Sequence, residues 1–247
     1  MARPRAVREL LLVLALFLAY RLGRLAVAGD MATAYANAEH VWDLERALEL
    51  PSEAALQSLV LGQDWLTRAA NLYYAWVHFP ATAALLLWTY LRRPALYRWA
   101  RTTLAALTAT GFAVQVLLPL APPRFLAAAG MVDTGQTVGP SVYGNPGADS
   151  LANQYAAMPS LHVGWAAVVA IVLIRATHTR WRWLWLLHPL VTLAVVVVTA
   201  NHYWLDAVVA VALLAAVLPL VPRAAHVPEG VSHGSEPSRG TPAPVSG

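Results

Sequence analysis

The sequence predicts an all-α, polytopic membrane protein: a six-helix transmembrane bundle with further helices at the extracytoplasmic interface. Three observations predict it. Hydrophobic residues are 58% of the 247 and charged residues only 12%, roughly half the charged share of an ordinary soluble domain. Apolar runs approaching the ~20 residues that cross a bilayer core fall at about 9–28, 70–91, 102–121, 160–175, 184–200 and 203–221. The arginines lie between those runs rather than in one stripe.

Taken in order, the first run follows Arg3, Arg5 and Arg8 and continues past Arg21 and Arg24. The small-residue segment after it lacks a convincing cleavage site, so it reads as a span and not a removable leader. Residues 30–68 place Val41, Leu44 and Leu48 on one helical face, with Glu39, Asp43, Glu45 and Glu49 elsewhere. That pattern predicts helices lying at the interface, broken at Pro51 and Ser52. After the second run come Arg92, Arg93, Arg98 and Arg101. Residues 122–158, rich in Pro, Gly, Ser and Asn, read as a long irregular loop of the functional kind. The fourth and fifth runs are short, which calls for tilt or bilayer thinning. Between them stand Arg175, Arg180 and Arg182, with Trp181, Trp183 and Trp185 as an interfacial anchor. Residues 222–247, rich in Pro, Gly and Ser, read as a disordered tail. There is no internal repeat, so 1–221 form one membrane domain.

Nearly all the arginines fall on one side of this arrangement, leaving Arg46, Arg68 and Arg124 on the other. The positive-inside bias therefore puts both termini in the cytoplasm and the 30–68 and 122–158 segments outside a plasma membrane. The absence of cysteine excludes disulfides, thiol nucleophiles and thiolate metal sites. All 17 basic residues are Arg, so an anion must be held by guanidinium groups, histidines or backbone amides. Although the pI is near 9.7, the scatter of charge argues against nucleic acid as a partner. No carboxylate cluster suits a divalent ion, and neither metal nor cofactor is expected.

This topology, drawn from arginine positions, brings the outer ends of three spans to one membrane level. Arg124 lies in Ala-Pro-Pro-Arg-Phe past span three; His162 lies in Met-Pro-Ser-Leu-His at the start of span four; His202 and Asp206 lie in Asn-His-Tyr-Trp-Leu-Asp at the start of span six. Residues four apart stack on one helical face. A carboxylate there can accept the Nδ1 proton of the imidazole and leave Nε2 free as a nucleophile. The same pair can also simply close a helix end. Pro159 suits a first helical turn and Ser160 a polar cap, whose amides and dipole favour phosphate. Arg124 offers a two-pronged donor for phosphate oxygens, or else snorkels at the interface.

Pro-Ser-Leu-His, followed forty residues later by His-Tyr-Trp-Leu-Asp, resembles the second and third signature motifs of the type 2 phosphatidic acid phosphatase superfamily. The spelling Met-Pro-Ser-Leu-His, with Pro-Pro-Arg upstream, is most similar to the branch of the inositol phosphorylceramide synthases and their bacterial relatives. The resemblance spans about 70–215. It implies a six-helix core with its site at the outer interface, a membrane lipid or polyprenyl phosphate as substrate, and a phosphohistidine intermediate. It further implies His202 as nucleophile, Asp206 as its orienting carboxylate and His162 as general acid. The superfamily's usual first motif needs a lysine, which this chain lacks, and Val196 stands where an arginine usually precedes the third-motif histidine. Both departures favour the transferase-like branch. Phosphate binding then falls to Arg124 and Ser160, with Arg21, His78, Asn153 and Tyr155 as further pocket candidates.

Two other classes compete. A haem-binding redox protein would use His78, His162 and His202 as ligands, but would have no use for a carboxylate beside one histidine and an arginine in the next loop. A transporter would show paired broken helices and internal symmetry, which are missing. Whether water or an alcohol attacks the phosphohistidine stays open.

Overall fold

The computed structural model describes residues 6–26, 31–140 and 154–222, with the backbone alone at 16–17 and 19–26. Its helices run α1 Ala6–Ala26, α2 Met31–Ala47, α3 Glu53–Leu61, α4 Asp64–Trp76, α5 His78–Arg92, α6 Pro94–Leu117, α7 Thr134–Thr137, α8 Leu161–Ala176, α9 Leu187–Val198 and α10 Trp204–Val217. No strand occurs among the described residues. A single parallel bridge joins the two sides of the long loop, with Leu120 N–H donating to Tyr155 O (2.8 Å) and Ala157 N–H to Leu120 O (3.1 Å).

Helix α8 is the centre of the bundle and packs on α5, α6, α9 and α10. Its apolar residues are buried on several sides, Val168, Val169 and Val172 meeting Leu85, Trp99, Leu104 and Leu107 on one flank and Leu214 and Val217 on another. Close approach depends on Gly164, where a Cβ would lie 3.0 Å from Leu107 Cδ2 and 3.7 Å from Ala210 Cβ. Gly111 does the same for α6, since a Cβ there would sit 2.8 Å from Leu161 Cδ2. At the other end of α6, Arg101 and Tyr97 both donate to Glu9, which fastens α1 to the bundle.

Each of the six apolar runs is helical, with shifted ends. The second is preceded by residues 64–69, already helical in α4, and divides at Val77, whose N–H still donates to Tyr73 O (3.0 Å). The fifth opens with a 3-10 segment over Arg180–Leu186 before α9 begins. Among the described residues one helical stretch, Arg180–Val198, is long and apolar enough to cross a membrane; Leu161–Ala176 and Trp204–Val217 are apolar but shorter. Large apolar side chains nevertheless face outward along α1 (Leu10, Leu14), α5 (Leu87, Leu91), α9 (Leu187, Leu190) and α10 (Val208, Val211).

The 30–68 segment forms the expected helices, and Ser52 caps α3 by accepting from Ala55 N–H at 3.2 Å. The face that α2 turns to the protein is not the Val41, Leu44 and Leu48 stripe as a whole. Leu44 and Leu48 are exposed, while Ala34, Ala38, Val41 and Glu45 are buried. Small residues let α2 lie close over Leu120, Ala121, Leu126 and Tyr203, and the carboxylate turns inward because it has a hydrogen-bond donor there. The 122–158 loop is also more regular than its composition predicts: 3-10 turns at Pro123–Phe125 and Ala127–Ala129 precede α7. Gln57 fastens it by accepting from Val132 N–H (2.8 Å) and donating to Val132 O and Val198 O (2.9 and 3.0 Å). The tail from 223, Asn153, and the side chains of Arg21 and Arg24 lie outside what is described.

A β-branched side chain at Gly164 has to displace the Leu107 side chain of α6 and crowd Ala210 of α10. Gly164→Val is expected to lower stability by about 1–3 kcal/mol, measured as thermal unfolding in detergent; an unchanged melting temperature would show that the three helices have slack.

Candidate active site

Five residues, 199–203, turn the chain from α9 into α10. Ala200 takes a left-handed conformation (φ 55°), which costs an alanine about 1–2 kcal/mol. The turn is held by Asn201 N–H and His202 N–H, both donating to Val196 O (3.0 and 3.2 Å), and by Asn201 Nδ2 donating to Thr199 Oγ1 (2.8 Å).

His202 and Asp206 meet, though not by stacking on a common helix as their spacing predicts. His202 precedes the N-cap Tyr203, and Asp206, in the first turn of α10, bends back over the helix start. Its Oδ2 accepts from Tyr203 N–H at 3.0 Å and lies 3.1 Å from His202 Nδ1. One buried oxygen thus stabilises the helix terminus and orients the imidazole. With the carboxylate accepting at Nδ1, Nε2 carries the free lone pair. The Asp206 carbonyl accepts from Ser160 N–H (3.0 Å), so the starts of α8 and α10 are tied together.

His162, on the first turn of α8, is placed by its neighbours' rings. It stacks on Tyr74 (centroids 4.6 Å apart, planes at 27°), lies against His78 (4.6 Å) and meets His202 edge to face (5.8 Å). His78 in turn leans on Trp165 at 5.1 Å. His202 is buried whereas His162 is partly open.

Arg124 is built in rather than snorkelling, its side chain 3% exposed. Its N–H donates to Ala200 O (3.2 Å), its Nη1 donates to Asn201 Oδ1, and its Nε stands 3.5 Å from Asp133 Oδ2. The guanidinium is therefore keyed to the same turn that presents His202.

The other expected residues divide. Ser160 caps α8 as predicted, its buried Oγ accepting from Val163 N–H at 3.5 Å. Pro159 lies before that cap, outside the first helical turn. His78 joins the histidine group. Tyr155 belongs instead to the layer under α2, its hydroxyl donating to Met31 Sδ (2.9 Å) and its ring 6.0 Å from Phe125. Sequence reasoning missed Tyr74, Asn201, Asp133 and Glu45. Asn201 could have been suspected as the neighbour of His202, and Tyr74 as lying four residues before His78; nothing in the spacing marks Asp133 or Glu45.

A buried imidazole held by a carboxylate, a second imidazole against it and a guanidinium locked to the same turn make a site suited to nucleophilic displacement at phosphorus. The model of the PAP2 superfamily matches residues 39–220, and the chain belongs to that superfamily, a group of phosphatases and phosphotransferases. No curated protein and no solved structure matches it. Membership gives the haem reading no support.

If the turn aims Arg124, cutting its link should show in catalysis. Asn201→Ala removes a charge-assisted hydrogen bond of about 1.5–3 kcal/mol and is expected to lower kcat/KM about 10-fold or more. Unchanged kcat/KM in a variant that still folds would detach the guanidinium's aim from Asn201.

Proposed function

We propose that the protein is an integral membrane phosphatase or phosphotransferase that acts on a lipid-linked phosphate at the extracytoplasmic interface through a phosphohistidine at His202. The observation that carries this reading is the 3.1 Å contact of His202 Nδ1 with the buried Asp206, with the His162 ring 5.8 Å away. Nε2 of His202 attacks phosphorus, and the bond from phosphorus to the leaving alcohol oxygen breaks as protonated His162 gives that oxygen its proton. Neutral His162 then takes a proton from the incoming water or alcohol, whose oxygen attacks phosphorus and frees His202. Arg124 holds the non-bridging oxygens, a role for which a planar fork suits better than a point charge.

The membrane setting is supported by the outward apolar faces, by Trp181 and Trp183 exposed beside Arg180 and Arg182, and by the arginine asymmetry. Six spans with both termini in the cytoplasm place the histidines outside. Within the superfamily, the chain reads as a relative of the inositolphosphotransferase-like branch, moving an inositol-phosphate-type headgroup. Support comes from Met-Pro-Ser-Leu-His, from the lack of lysine, and from Val196, which is buried against Tyr74 and Val163 rather than offering a cation.

Purified protein in vesicles should release or transfer labelled phosphate from a lipid phosphate ester. His202→Ala and His162→Ala should both abolish turnover, and only the latter should still take up label slowly from an activated donor whose leaving group needs no proton. Label attaching equally well without His202 would place the nucleophile elsewhere. Arg124→Lys should cost about 10- to 100-fold despite keeping its charge, and full activity would reduce Arg124 to an anchor. Turnover should be bell-shaped in pH, since one imidazole must be neutral and the other protonated. A flat profile across pH 5–9 with chemistry rate-limiting contradicts the two-histidine cycle.

A further inference from the structure

We infer that Glu45 is a positioning residue of this site: paired with Glu53 through one shared proton beneath the start of α10, it holds the Asp206–His202 pair in place. The inference rests on the functional reading above, and begins from contacts that the catalytic cycle does not use.

Glu45 and Glu53, from α2 and α3, are both fully buried. Glu45 Oε1 accepts from Leu205 N–H at 2.7 Å, the amide immediately before Asp206. The N-terminus of α10 is thus held by two carboxylates: Asp206 takes the Tyr203 N–H and Glu45 the Leu205 N–H. Trp204 Nε1 donates to Pro51 O (2.7 Å) between α2 and α3, so the α2–α3 hairpin is clamped onto this helix start at two points. Arg46 Nη2 donates to Glu53 Oε2 (2.9 Å) and stays 3.9 Å from Glu45 Oε2.

Charge balance then requires a proton. Arg46, Glu53, Asp206 and Tyr203 are the charged or titratable groups that face Glu45 from α2, α3 and α10. Three buried carboxylates around one guanidinium leave an uncompensated charge, which is costly in a low-dielectric interior. One oxygen of each glutamate, Glu45 Oε2 and Glu53 Oε1, is buried with no hydrogen-bond partner. Two buried carboxyl groups can satisfy such oxygens between them only if one keeps its proton and donates it to the other. Burial first, then the neighbouring Glu53 and the charge of Asp206, push the Glu45 carboxyl up to about 9, against the pull of the Leu205 N–H. Because this value lies above that of an unfolded glutamate, the stability tied to the proton is complete below about pH 4.5, declines through the interval and is lost above about pH 9. Above that point like charges beside Asp206 loosen the start of α10.

The test compares wild type, Glu45→Gln and Glu45→Ala in detergent and in vesicles. Glutamine imitates the protonated acid: its oxygen accepts from Leu205 N–H, its amide donates to Glu53, and it does not titrate. Glu45→Ala should lose about tenfold or more in turnover, and Glu45→Gln should restore most of that loss. Glu45→Gln should also flatten the fall in melting temperature expected of the wild type between pH 7 and 10. Wild-type turnover in Glu45→Ala, or superimposable pH dependences of melting temperature for wild type and Glu45→Gln, overturn the inference. A wild type that turns over no phosphate ester overturns the functional reading and the positioning role with it. The melting-temperature comparison still decides separately whether the pair shares a proton, and if Glu45→Ala fails to fold, Glu45→Gln carries the same comparison alone.

Discussion

Oδ2 of Asp206 accepts from the backbone of Tyr203 and faces the ring of His202, and most of the site hangs on that double contact. A helix start leaves amides without partners, so a carboxylate in the first turn of α10 is favoured on structural grounds alone. By reaching back, it also meets the residue before the cap. Folding of the helix and orientation of the imidazole are then a single event: the nucleophile is aimed whenever the terminus is formed. The Asp206 carbonyl extends this to α8 through Ser160 N–H, so the helix that carries His162 is registered against the same residue.

Around that point the chain supplies groups from segments far apart in sequence. Arg124 comes from a 3-10 turn, Tyr74 and His78 from either side of the break at Val77, and Glu45 from a helix outside the bundle. What lets them converge is close packing under them. Gly111 lets α6 approach the start of α8, and Gly164 lets α8 sit among α6 and α10. These glycines leave room, and Leu161, Pro159 and Leu107 occupy it.

The helical class and the positions of the long helices were legible because apolar runs of that length have few alternatives. His162, His202, Asp206 and Arg124 were legible because their residue types sat at matching ends of those runs. What failed did so for identifiable reasons. Leu44 and Leu48 mark the apolar face of α2 by period, but its inward face was decided by small residues and by the Leu205 N–H that Glu45 accepts from. His202 and Asp206 have helical spacing, yet the left-handed Ala200 and the cap at Tyr203 put the histidine outside the helix. Asp133 contacts Arg124 only through a loop whose path no periodicity encodes. Periodicity reports which face is apolar; it says nothing of which polar group will find a donor across the fold.

The salt bridge between Arg124 and Asp133 bears on how such a site empties. In the proposed cycle a substrate anion does not arrive at a bare cation. It exchanges with a carboxylate already in place, so part of the attraction is cancelled and ground-state binding stays moderate. The same carboxylate stands ready to re-engage the guanidinium as the charged product departs. In that cycle Asp133 would act as a tethered competitor, present at a fixed local concentration that no dilution of free ligand changes. In the proposed setting, such a resident rival would weaken the hold on charged product as well as on substrate.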